Sequence, residues 1–468
     1  MPIRLTNTLS GREEPLVAHG DPLTLYTCGM TPKFHPHVGH ARLFIAIDII
    51  RRYLEYRGYR VKHVQNFTDV DDKIIARGHQ EDIDPVEVAR RYSESYFQTM
   101  DALNVRRAHL YPTVTQFMSK IIEFVDGLIE RGHAYESEGD VYFDVSTKTD
   151  YGKLAGRTEE GQLVGVRKDL EPHKRHPRDF ALWKRAKAGE PAWESPWGPG
   201  RPGWHIECST MSRETLGDQI DLHAGGQDLI FPHHENEIAQ SEALTGKVPF
   251  CYAWTHIGLV TVGGEKMAHS VGNFTTVLDV LRHHEPMALR LYLTNTHYRS
   301  PLAFNEESLI SSGRGLDRLR AAAGPSGDVT SIAAPAWVAE ARTRFEDAMD
   351  SDFNTAGALG HLFDLARDIN RKRTEGDDVA DILVAQQTLR ELADVLGLTL
   401  DAPAPRTGSE AEEPIDPFVE LVLEARRALR RAKLFAEADE LRGRLRELGI
   451  VVEDTAQGSV WRRARPGE

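Results

Sequence analysis

The fold is decided by residues 23–67, whose sequence is LTLYTCGMTPKFHPHVGHARLFIAIDIIRRYLEYRGYRVKHVQNF. The β-favouring run Leu23–Cys28 predicts a strand that ends at a glycine and opens a loop rich in proline and histidine. A helix is predicted after this loop, because apolar residues recur there at steps of four, three and four, which places them on one face. The residues of that face are Leu43, Ile47, Ile50 and Leu54. The helix is expected to end at Arg57-Gly58.

A second strand, Val61–Phe67, completes a strand–loop–helix–strand unit. Such a βαβ unit predicts a parallel sheet, because a right-handed crossover returns the second strand beside the first. In open sheets of this kind, ligands bind at the carboxyl ends of the strands. The loop after the first strand is therefore the first place to look for chemistry.

The chain has 468 residues, with 57 Lys and Arg against 71 Asp and Glu, and its net charge of −14 excludes a surface that is basic all over. This length predicts two to four domains at roughly 100–200 residues each. No apolar stretch approaches the roughly 18 residues of a membrane span, and the N-terminus lacks the pattern of an export signal. We therefore expect a cytoplasmic protein that contacts no membrane. Its three scattered cysteines are expected to be thiols, catalytic residues or metal ligands rather than disulfides.

The character of the sequence changes along the chain. Irregular charged and Pro/Trp-rich stretches indicate an insertion, after which Asp221–Gly226 and Tyr252–Val262 are predicted to be buried strands. The prediction is an α/β fold, in which a Rossmann-type parallel-sheet domain with a connective insertion precedes an α-helical bundle and a small C-terminal module. The predicted boundaries are 1–312 for the first domain, with the insertion at about 112–202, 313–400 for the bundle, 401–417 for a linker and 418–468 for the module.

The C-terminal module differs from the rest of the chain in charge. From residue 425 to residue 468 there are eleven Lys and Arg against seven Asp and Glu, in a chain that is acidic overall. A local excess of basic residues indicates contact with a polyanion. A solvated helix face explains the same charges equally well, and the charges alone do not choose between the two interpretations.

Two short patterns indicate phosphate binding. His37-Val38-Gly39-His40 lies where the first helix is predicted to begin, and imidazoles at a helix N-terminus suit the oxygens of an α-phosphate. Further along, Lys266 to Ser270 follows a pair of glycines on a predicted loop, where a cation could bind the β- and γ-phosphates. Each pattern alone is common, since a short His-x-Gly-His string arises by chance and a lysine beside glycines is usually just exposed.

A third pattern indicates a metal site. His233 and Glu237 are four residues apart at the start of a predicted helix and therefore share one face. Together with Cys28 and Cys208 they would supply two thiolates, an imidazole and a carboxylate, which is a plausible donor set for zinc. A helix that is merely capped and charged would show the same spacing.

The neighbouring histidine and the third cysteine are given other roles. His234 is rotated by about 100° from His233 on a helix, so it is expected to pack or to contact a substrate. Cys251 has apolar and aromatic neighbours and is expected to be a thiol of the core.

Longer motifs extend from one end of the chain to the other. They are YTCGMT at 26–31, NFTDVDDK at 66–73, GWHIECS at 203–209, FPHHENE at 231–237, EKM at 265–267, HYRSP at 297–301, DFN at 352–354 and EDTAQG at 453–458. With these motifs the chain resembles the cysteinyl-tRNA synthetases, a family of class I aminoacyl-tRNA synthetases, over nearly its full length.

The resemblance implies an activity and its cofactors. It implies that L-cysteine is attached to tRNA(Cys) in two steps, through a cysteinyl adenylate made from ATP and then by transfer to the tRNA. It also implies one zinc ion per chain that binds the substrate thiolate, and Mg²⁺ that accompanies ATP. A zinc–thiolate bond would separate cysteine from serine, which a hydrophobic pocket cannot do. A monomer is expected.

The resemblance also assigns roles to residues. The zinc ligands would be Cys28, Cys208, His233 and Glu237. The catalytic and ATP-binding residues would be His37, Gly39, His40, Lys266 and His269. The amino-acid pocket would be lined by Thr68, Trp204 and His223, although any of these could be a packing residue. Contacts to the tRNA would come from Arg430, Arg431, Trp461 and Arg462 in the anticodon-binding module.

Two departures from the family pattern concern the phosphates. The family's second motif is usually Lys-Met-Ser-Lys-Ser, and here a histidine, His269, replaces the second lysine. The loop before the His37 motif also differs, with the sequence Pro-Lys-Phe-His-Pro at 32–36. Lys33 or His35 could replace the missing positive charge, or the change could be an ordinary loop substitution.

Two other functions are compatible with the first half of the chain. One is a ligase that makes the same adenylate and transfers cysteine to an amino-sugar. The other is a non-catalytic paralogue that senses tRNA or cysteine, which the altered loop around His269 would permit. The basic C-terminal module favours a tRNA acceptor, because a small-molecule acceptor gives no reason for it.

Overall fold

The computed structural model describes residues 2–156, 173–267, 272–324, 333–401, 416–432, 434–455 and 458–463. The chain divides into two compact units, Met1–Leu400 and Asp401–Glu468. In the described residues, no helix combines the length and the apolar character that crossing a bilayer requires.

The first unit begins with an antiparallel hairpin and then alternates strands with helices. These elements are β1 (Arg4–Asn7), β2 (Arg12–Pro15), β3 (Leu23–Met30), α1 (Val38–Tyr56), β4 (Val61–Phe67), α2 (Asp72–Glu81) and α3 (Pro85–Ala102). A helix and a separate antiparallel sheet follow in the region of the predicted insertion. They are α4 (Met118–Glu130), β5 (Ala134–Ser137), β6 (Asp140–Phe143), β7 (Phe180–Arg185) and β8 (Gly200–Pro202).

The chain then returns to the parallel sheet and ends its first unit in helices. The returning elements are α5 (Trp204–Leu216), β9 (Ile220–Gly226), α6 (Glu235–Thr245), β10 (Cys251–Ile257), β11 (Val260–Val262), β12 (Glu265–Lys266), α7 (Val277–His283), α8 (Pro286–Thr294) and β13 (Leu302–Ala303). The helices are α9 (Glu306–Ala323), α10 (Ala336–Asp350), α11 (Thr355–Glu375) and α12 (Val379–Val395).

The main sheet has the strand order β10–β9–β3–β4, and each adjacent pair is parallel. The chain leaves β3 on one side to form β4 and comes back on the other side as β9. The carboxyl end of β3 is therefore the point where the strand order reverses, which is where open α/β sheets bind ligands. The predicted α/β fold, with its βαβ unit and parallel sheet, is confirmed.

The strand predicted at Tyr252–Val262 is in fact two strands, β10 and β11. The chain leaves the parallel sheet at Gly258, whose N–H donates to the carbonyl of Tyr298 at 2.8 Å. A side chain at this position would lie 2.3 Å from the carbonyl oxygen of Ser300. β11 then pairs with β12 and β13 in a second small sheet.

Helix α1 is buried on most of its sides rather than on one apolar face. Asp48, near its middle, accepts from Arg52 Nε at 2.8 Å and from Arg290 Nη2 of α8 at 2.5 Å. Arg290 is fully buried and also donates to the carbonyls of Leu103 and Leu396 at 2.8 Å each. A buried ionic network thus joins α1 to α8 and to the end of α12.

Two of the predicted domain boundaries fall within helices of the structure. The boundary at residue 312 lies inside α9, which is one continuous helix. Most of the predicted linker 401–417 lies outside the described residues, and its last two positions belong to the next helix.

The second unit is a helical pair with a hairpin, made of α13 (Asp416–Arg431), α14 (Phe435–Glu447), β14 (Ile450–Thr455) and β15 (Gly458–Arg463). Its small core consists of Val419, Leu423, Leu445, Ile450 and Val452, with Trp461 packed partly against it.

The buried network predicts a large stability cost for Asp48→Asn. The substitution leaves the guanidinium of Arg290 buried without its anion, and breaking such a pair costs about 3–5 kcal/mol. The measurement is the free energy of unfolding of the full chain in urea. Asp394→Asn is the matched control, because Asp394 also pairs with Arg52 but its side chain is 59% exposed, and an exposed pair contributes at most about 1 kcal/mol. Equal costs for the two variants would contradict this role of Asp48.

Candidate functional site

Four sequence-predicted residues meet where the strand order of the main sheet reverses. Cys28 lies near the end of β3, Cys208 in the second turn of α5, His233 in the π turn before α6, and Glu237 in the first turn of α6. Their ligand atoms all lie within 4.8 Å of one another. Each residue is at most 3% exposed. Four separate elements therefore bring their polar side chains into one buried cluster.

The distances within this cluster suit a tetrahedral ion. The two sulfurs of Cys28 and Cys208 are 3.6 Å apart, and Glu237 Oε1 lies 3.4 Å from Cys28 Sγ and 3.0 Å from His233 Nε2. Two sulfurs bound to zinc at about 2.3 Å in a tetrahedral site lie roughly 3.8 Å apart. The residues present therefore fit zinc in donor type, in number and in spacing.

The negative charges within the cluster also favour the binding of a cation. Burial opposes protonation of His233, but the Glu237 carboxylate and Cys208 together outweigh it and raise the pKa of His233 to about 10. The hydrogen bond from Cys28 lowers the pKa of Cys208 to about 6. A proton held on His233 thus offsets one of the two buried negative charges, those of Glu237 and Cys208, and a divalent ion that replaces this proton would offset both.

Sequence reasoning missed the closeness of two further histidines to this cluster. His223 Nε2 lies 2.9 Å from Glu237 Oε2, and His234 Nε2 lies 3.3 Å from Cys28 Sγ. Cys28, His223, His234 and Glu237 form a second group whose ligand atoms lie within 4.8 Å. The group with two thiolates is the softer donor set and suits zinc better than this one.

Outer hydrogen bonds hold the histidine rings in place. His233 Nδ1 lies 2.9 Å from His205 Nδ1. His234 Nδ1 lies 2.8 Å from His256 Nε2, and the other nitrogen of His256 lies 2.8 Å from Thr8 Oγ1. Such partners orient a metal-binding imidazole and set its tautomer. No local spacing could have indicated them, because Thr8 and His256 come from the turn after β1 and from β10.

The residues expected to line an amino-acid pocket border the cluster. Trp204 is 39% exposed, and its ring stacks on His233 with 4.3 Å between centroids. Thr68 is buried and donates to Glu207 Oε2 at 2.8 Å, next to Cys208 in the chain. His223, by contrast, is fully buried inside the cluster.

The predicted phosphate site begins α1 with a reciprocal cap. The N–H of His40 donates to His37 Nδ1 at 3.3 Å, and the N–H of His37 donates to His40 Nδ1 at 3.2 Å. The two rings stack with 3.7 Å between their centroids. Gly39 is required between them, because a Cβ there would lie 2.9 Å from the ring of His37.

This cap determines where the imidazole protons are. Because each Nδ1 accepts a hydrogen bond, the proton of a neutral ring is on Nε2, which is then a donor. Desolvation and the nearby His37, Lys33 and Lys266 hold the pKa of His40 well below its usual value. His40 is therefore a neutral hydrogen-bond donor at the start of a helix, where anions bind favourably.

The second phosphate motif is only partly within the described residues. Lys266 lies in β12, and its ammonium pairs with Asp228 Oδ2 at 2.7 Å. The side chain of Asn273 donates to the carbonyl of Lys266 at 3.1 Å. His269 lies outside the described residues.

The residues predicted to contact tRNA all lie in the second unit. Arg430 and Arg431 are exposed in the last turn of α13. Trp461 and Arg462 lie on β15, opposite Val452 and Val451 of β14. Trp461 is half-buried against the small core, so it has a structural role in this unit whatever else it binds.

Comparisons with known proteins cover the whole chain. The family model of tRNA synthetases class I (C) catalytic domains matches residues 16–314, a DALR domain matches 344–401, and a cysteinyl-tRNA ligase anticodon binding domain matches 414–462. The chain is 47% identical over 465 residues to the cysteine–tRNA ligase of Dehalococcoides mccartyi, covering 98% of this chain and 99% of that protein. It is also 47% identical to the cysteine–tRNA ligase of Heliobacterium modesticaldum, covering 99% of this chain and 100% of that protein.

Solved structures share the fold at low sequence identity. The methionyl-tRNA synthetase of Mycobacterium tuberculosis in complex with methionyl-adenylate has a TM-score of 0.58 and 17% identity, over 81% of this chain and 90% of that one. The LeuRS of Agrobacterium radiobacter in a ternary complex with tRNA and LeuAMS has a TM-score of 0.58 and 11% identity, over 83% of this chain and 87% of that one.

Proposed function

This chain belongs to the cysteine–tRNA ligase family, and from that premise we propose that its buried thiol–histidine–carboxylate cluster is the centre that selects cysteine. The chain attaches L-cysteine to tRNA(Cys) in an ATP-dependent reaction that passes through a cysteinyl adenylate. Transfer to an amino-sugar is not favoured, because the match to an anticodon binding domain at 414–462 fits a tRNA acceptor.

One observation carries the proposal: two thiols, an imidazole and a carboxylate lie together at the carboxyl end of β3. Cys28, Cys208, His233 and Glu237 would hold one zinc ion per chain. When bound there, zinc would take the thiol sulfur of the substrate as a further ligand and lower its pKa. Trp204 stacks on His233 and would form the exposed wall of the amino-acid pocket.

The residues around the cluster would complete amino-acid recognition. Thr68 is fixed by its hydrogen bond to Glu207, which places a hydroxyl next to the helix that carries Cys208. His223 would act by holding Glu237 in place rather than by touching the substrate, since it is fully buried and bonded to that carboxylate. Recognition of sulfur separates cysteine from serine more strongly than a pocket shape could.

In the first step, a carboxylate oxygen of cysteine attacks the α-phosphorus of ATP, and the bond to pyrophosphate breaks. The Nε2–H groups of His37 and His40 would donate to the α-phosphate oxygens as negative charge develops on them. Lys266 would neutralise the departing pyrophosphate, and Mg²⁺ accompanying ATP would supply further positive charge there. The family resemblance assigns the same task to His269.

In the second step, the terminal ribose hydroxyl of tRNA attacks the carbonyl carbon of the adenylate, and AMP leaves.

The proposed division of the chain assigns residues 1–312 to the catalytic domain, with α9 joining it to the bundle at 313–400. Residues 418–468 would bind the anticodon through Arg430, Arg431, Trp461 and Arg462, after the linker 401–417. The separate compact unit from Asp401 onward supports the boundary between the bundle and the C-terminal part of the chain. We expect the protein to act in the cytoplasm, because tRNA and ATP are found in the cytoplasm. We also propose that it is a monomer.

The zinc assignment predicts that Cys208→Ser loses metal and selectivity together, since one site serves both. Metal analysis of the purified protein should fall well below one zinc per chain, and discrimination against serine in pyrophosphate exchange should decline. Cys251→Ser is the matched control, because the thiol of Cys251 is equally buried but donates to the carbonyl of Ala253. One zinc per chain and unchanged discrimination in Cys208→Ser would rule out the assignment.

The phosphate assignment predicts that His40→Ala slows adenylate formation by roughly 100-fold, the usual effect of removing one donor to a developing charge. Cysteine affinity should change little, because the contact strengthens mainly in the transition state. The measurement is single-turnover adenylate formation. His40→Asn retains an oxygen that can accept the N–H of His37, so full recovery in that variant would show that only the cap matters.

The division of the chain predicts that removing residues 418–468 leaves cysteine-dependent pyrophosphate exchange intact and abolishes tRNA charging at physiological salt. In the full chain, Arg430→Gln with Arg431→Gln should weaken tRNA binding and lessen the salt dependence of the affinity. The slope of log affinity against log salt should fall by about one unit for each arginine that binds a phosphate. Normal charging by the truncated chain would refute the module assignment.

A further inference from the structure

The loop between β3 and α1 packs two of its side chains, Phe34 and His35, against α3. The ring of Phe34 packs edge-on against Phe274, with 4.9 Å between centroids, and also contacts Tyr92 of α3. His35 Nδ1 lies 2.6 Å from Ser95 Oγ, which is also on α3. Both side chains therefore pack against α3. Because His35 is hydrogen-bonded to Ser95, it is a poor substitute for the lysine that is missing at position 269.

Lys33, on the same loop, is in a different position. It is half-buried, and its N–H donates to the carbonyl of Thr31 at 2.9 Å. Among the described residues, no carboxylate lies within ion-pair distance of its ammonium and no hydrogen bond holds it. Asp71, an acidic group that acts on Lys33, caps α2 by accepting from the N–H of Lys73 at 2.8 Å.

The charges around Lys33 are mainly positive. Burial and then the nearby Lys73 lower the pKa of the Lys33 ammonium, while Asp71 acts in the opposite direction. Lys33 and Lys266 both lie close enough to His40 to lower its pKa as well. Lys33 and Lys266 thus both place positive charge near the start of α1; Lys266 is paired with Asp228, whereas Lys33 has no ion-pair partner among the described residues.

The loop that carries Lys33 is also joined to the segment that follows the second phosphate motif. The N–H of Val38 donates to the carbonyl of Thr275 at 3.1 Å, and the N–H of Val277 donates to the carbonyl of Pro36 at 2.9 Å. The two segments that border the triphosphate site therefore form one hydrogen-bonded unit. The side chain of Asn273, on the second segment, donates to the carbonyl of Lys266 at 3.1 Å, which ties Lys266 to the same unit.

We propose that Lys33 binds the triphosphate of ATP together with Lys266, and so supplies the permanent positive charge that the usual lysine at position 269 would carry. An ammonium that is half-buried without a partner has an unfavourable free energy, and the arriving polyphosphate would supply its anion. The inference rests on the proposed adenylation activity. It assigns the role to a loop whose sequence differs from the usual family pattern.

The test is Lys33→Gln in the full-length protein, measured by cysteine-dependent pyrophosphate exchange in the absence of tRNA. Loss of one charge-assisted hydrogen bond should raise the KM for ATP by roughly 10- to 100-fold. Calorimetry should show weaker binding of ATP with unchanged binding of AMP, which has no β- or γ-phosphate. Lys33→Arg keeps the charge and should recover most of the ATP affinity.

Lys62→Gln is the matched control, because Lys62 is also a half-buried lysine but lies at the start of β4, where its ammonium donates to the carbonyl of Thr215. An unchanged KM for ATP in Lys33→Gln would overturn the proposal. So would equal weakening of ATP and AMP, which indicates a general structural effect, or a defect confined to tRNA charging. Absence of exchange in the unaltered protein would instead contradict the proposed function.

Discussion

The full burial of the Glu237 carboxylate is the constraint on which the rest of the site depends. A charge removed from water must be neutralised and hydrogen-bonded by its neighbours. Glu237 meets this requirement with His223 at 2.9 Å, His233 at 3.0 Å and the thiol of Cys28 at 3.4 Å. These partners come from β9, from the π turn before α6 and from β3, so satisfying one carboxylate brings together the elements around the reversal point of the sheet.

Helix α1 connects this centre to the remainder of the first unit. Its first turn holds the stacked imidazoles of His37 and His40, and its middle is held by the ionic network of Asp48 and Arg290. Groups that stabilise developing charge must be held in place before the reaction, because reorganisation during the reaction is costly. The helix that presents the phosphate donors is therefore also bonded firmly to the elements behind it.

Much of the site could be predicted from spacing. The interval of four residues places His233 and Glu237 on one face, and the His37 motif coincides with a predicted helix start. The roles of His223 and His234 were not predictable in this way, because their neighbours come from other strands. Sequence spacing predicts that His234 packs or contacts a substrate; the structure adds that its Nε2 lies 3.3 Å from Cys28 Sγ and that His256 orients its ring. Local periodicity carries no information about such long-range contacts.

Local patterns along the chain were enough to predict the βαβ unit, the parallel sheet and the candidate donor residues, because side-chain periodicity and ligand chemistry can be recognised residue by residue. The division of the strand predicted at Tyr252–Val262 was not predictable in this way, because it occurs at Gly258, where the backbone of Ser300, distant in the sequence, approaches too closely for a side chain. The tertiary structure also favours Lys33 over His35 as the candidate cation, because His35 is bonded to Ser95. In an irregular loop no period sets the side-chain direction, and that direction depends on which partners, here Ser95 and Tyr92, the rest of the fold supplies.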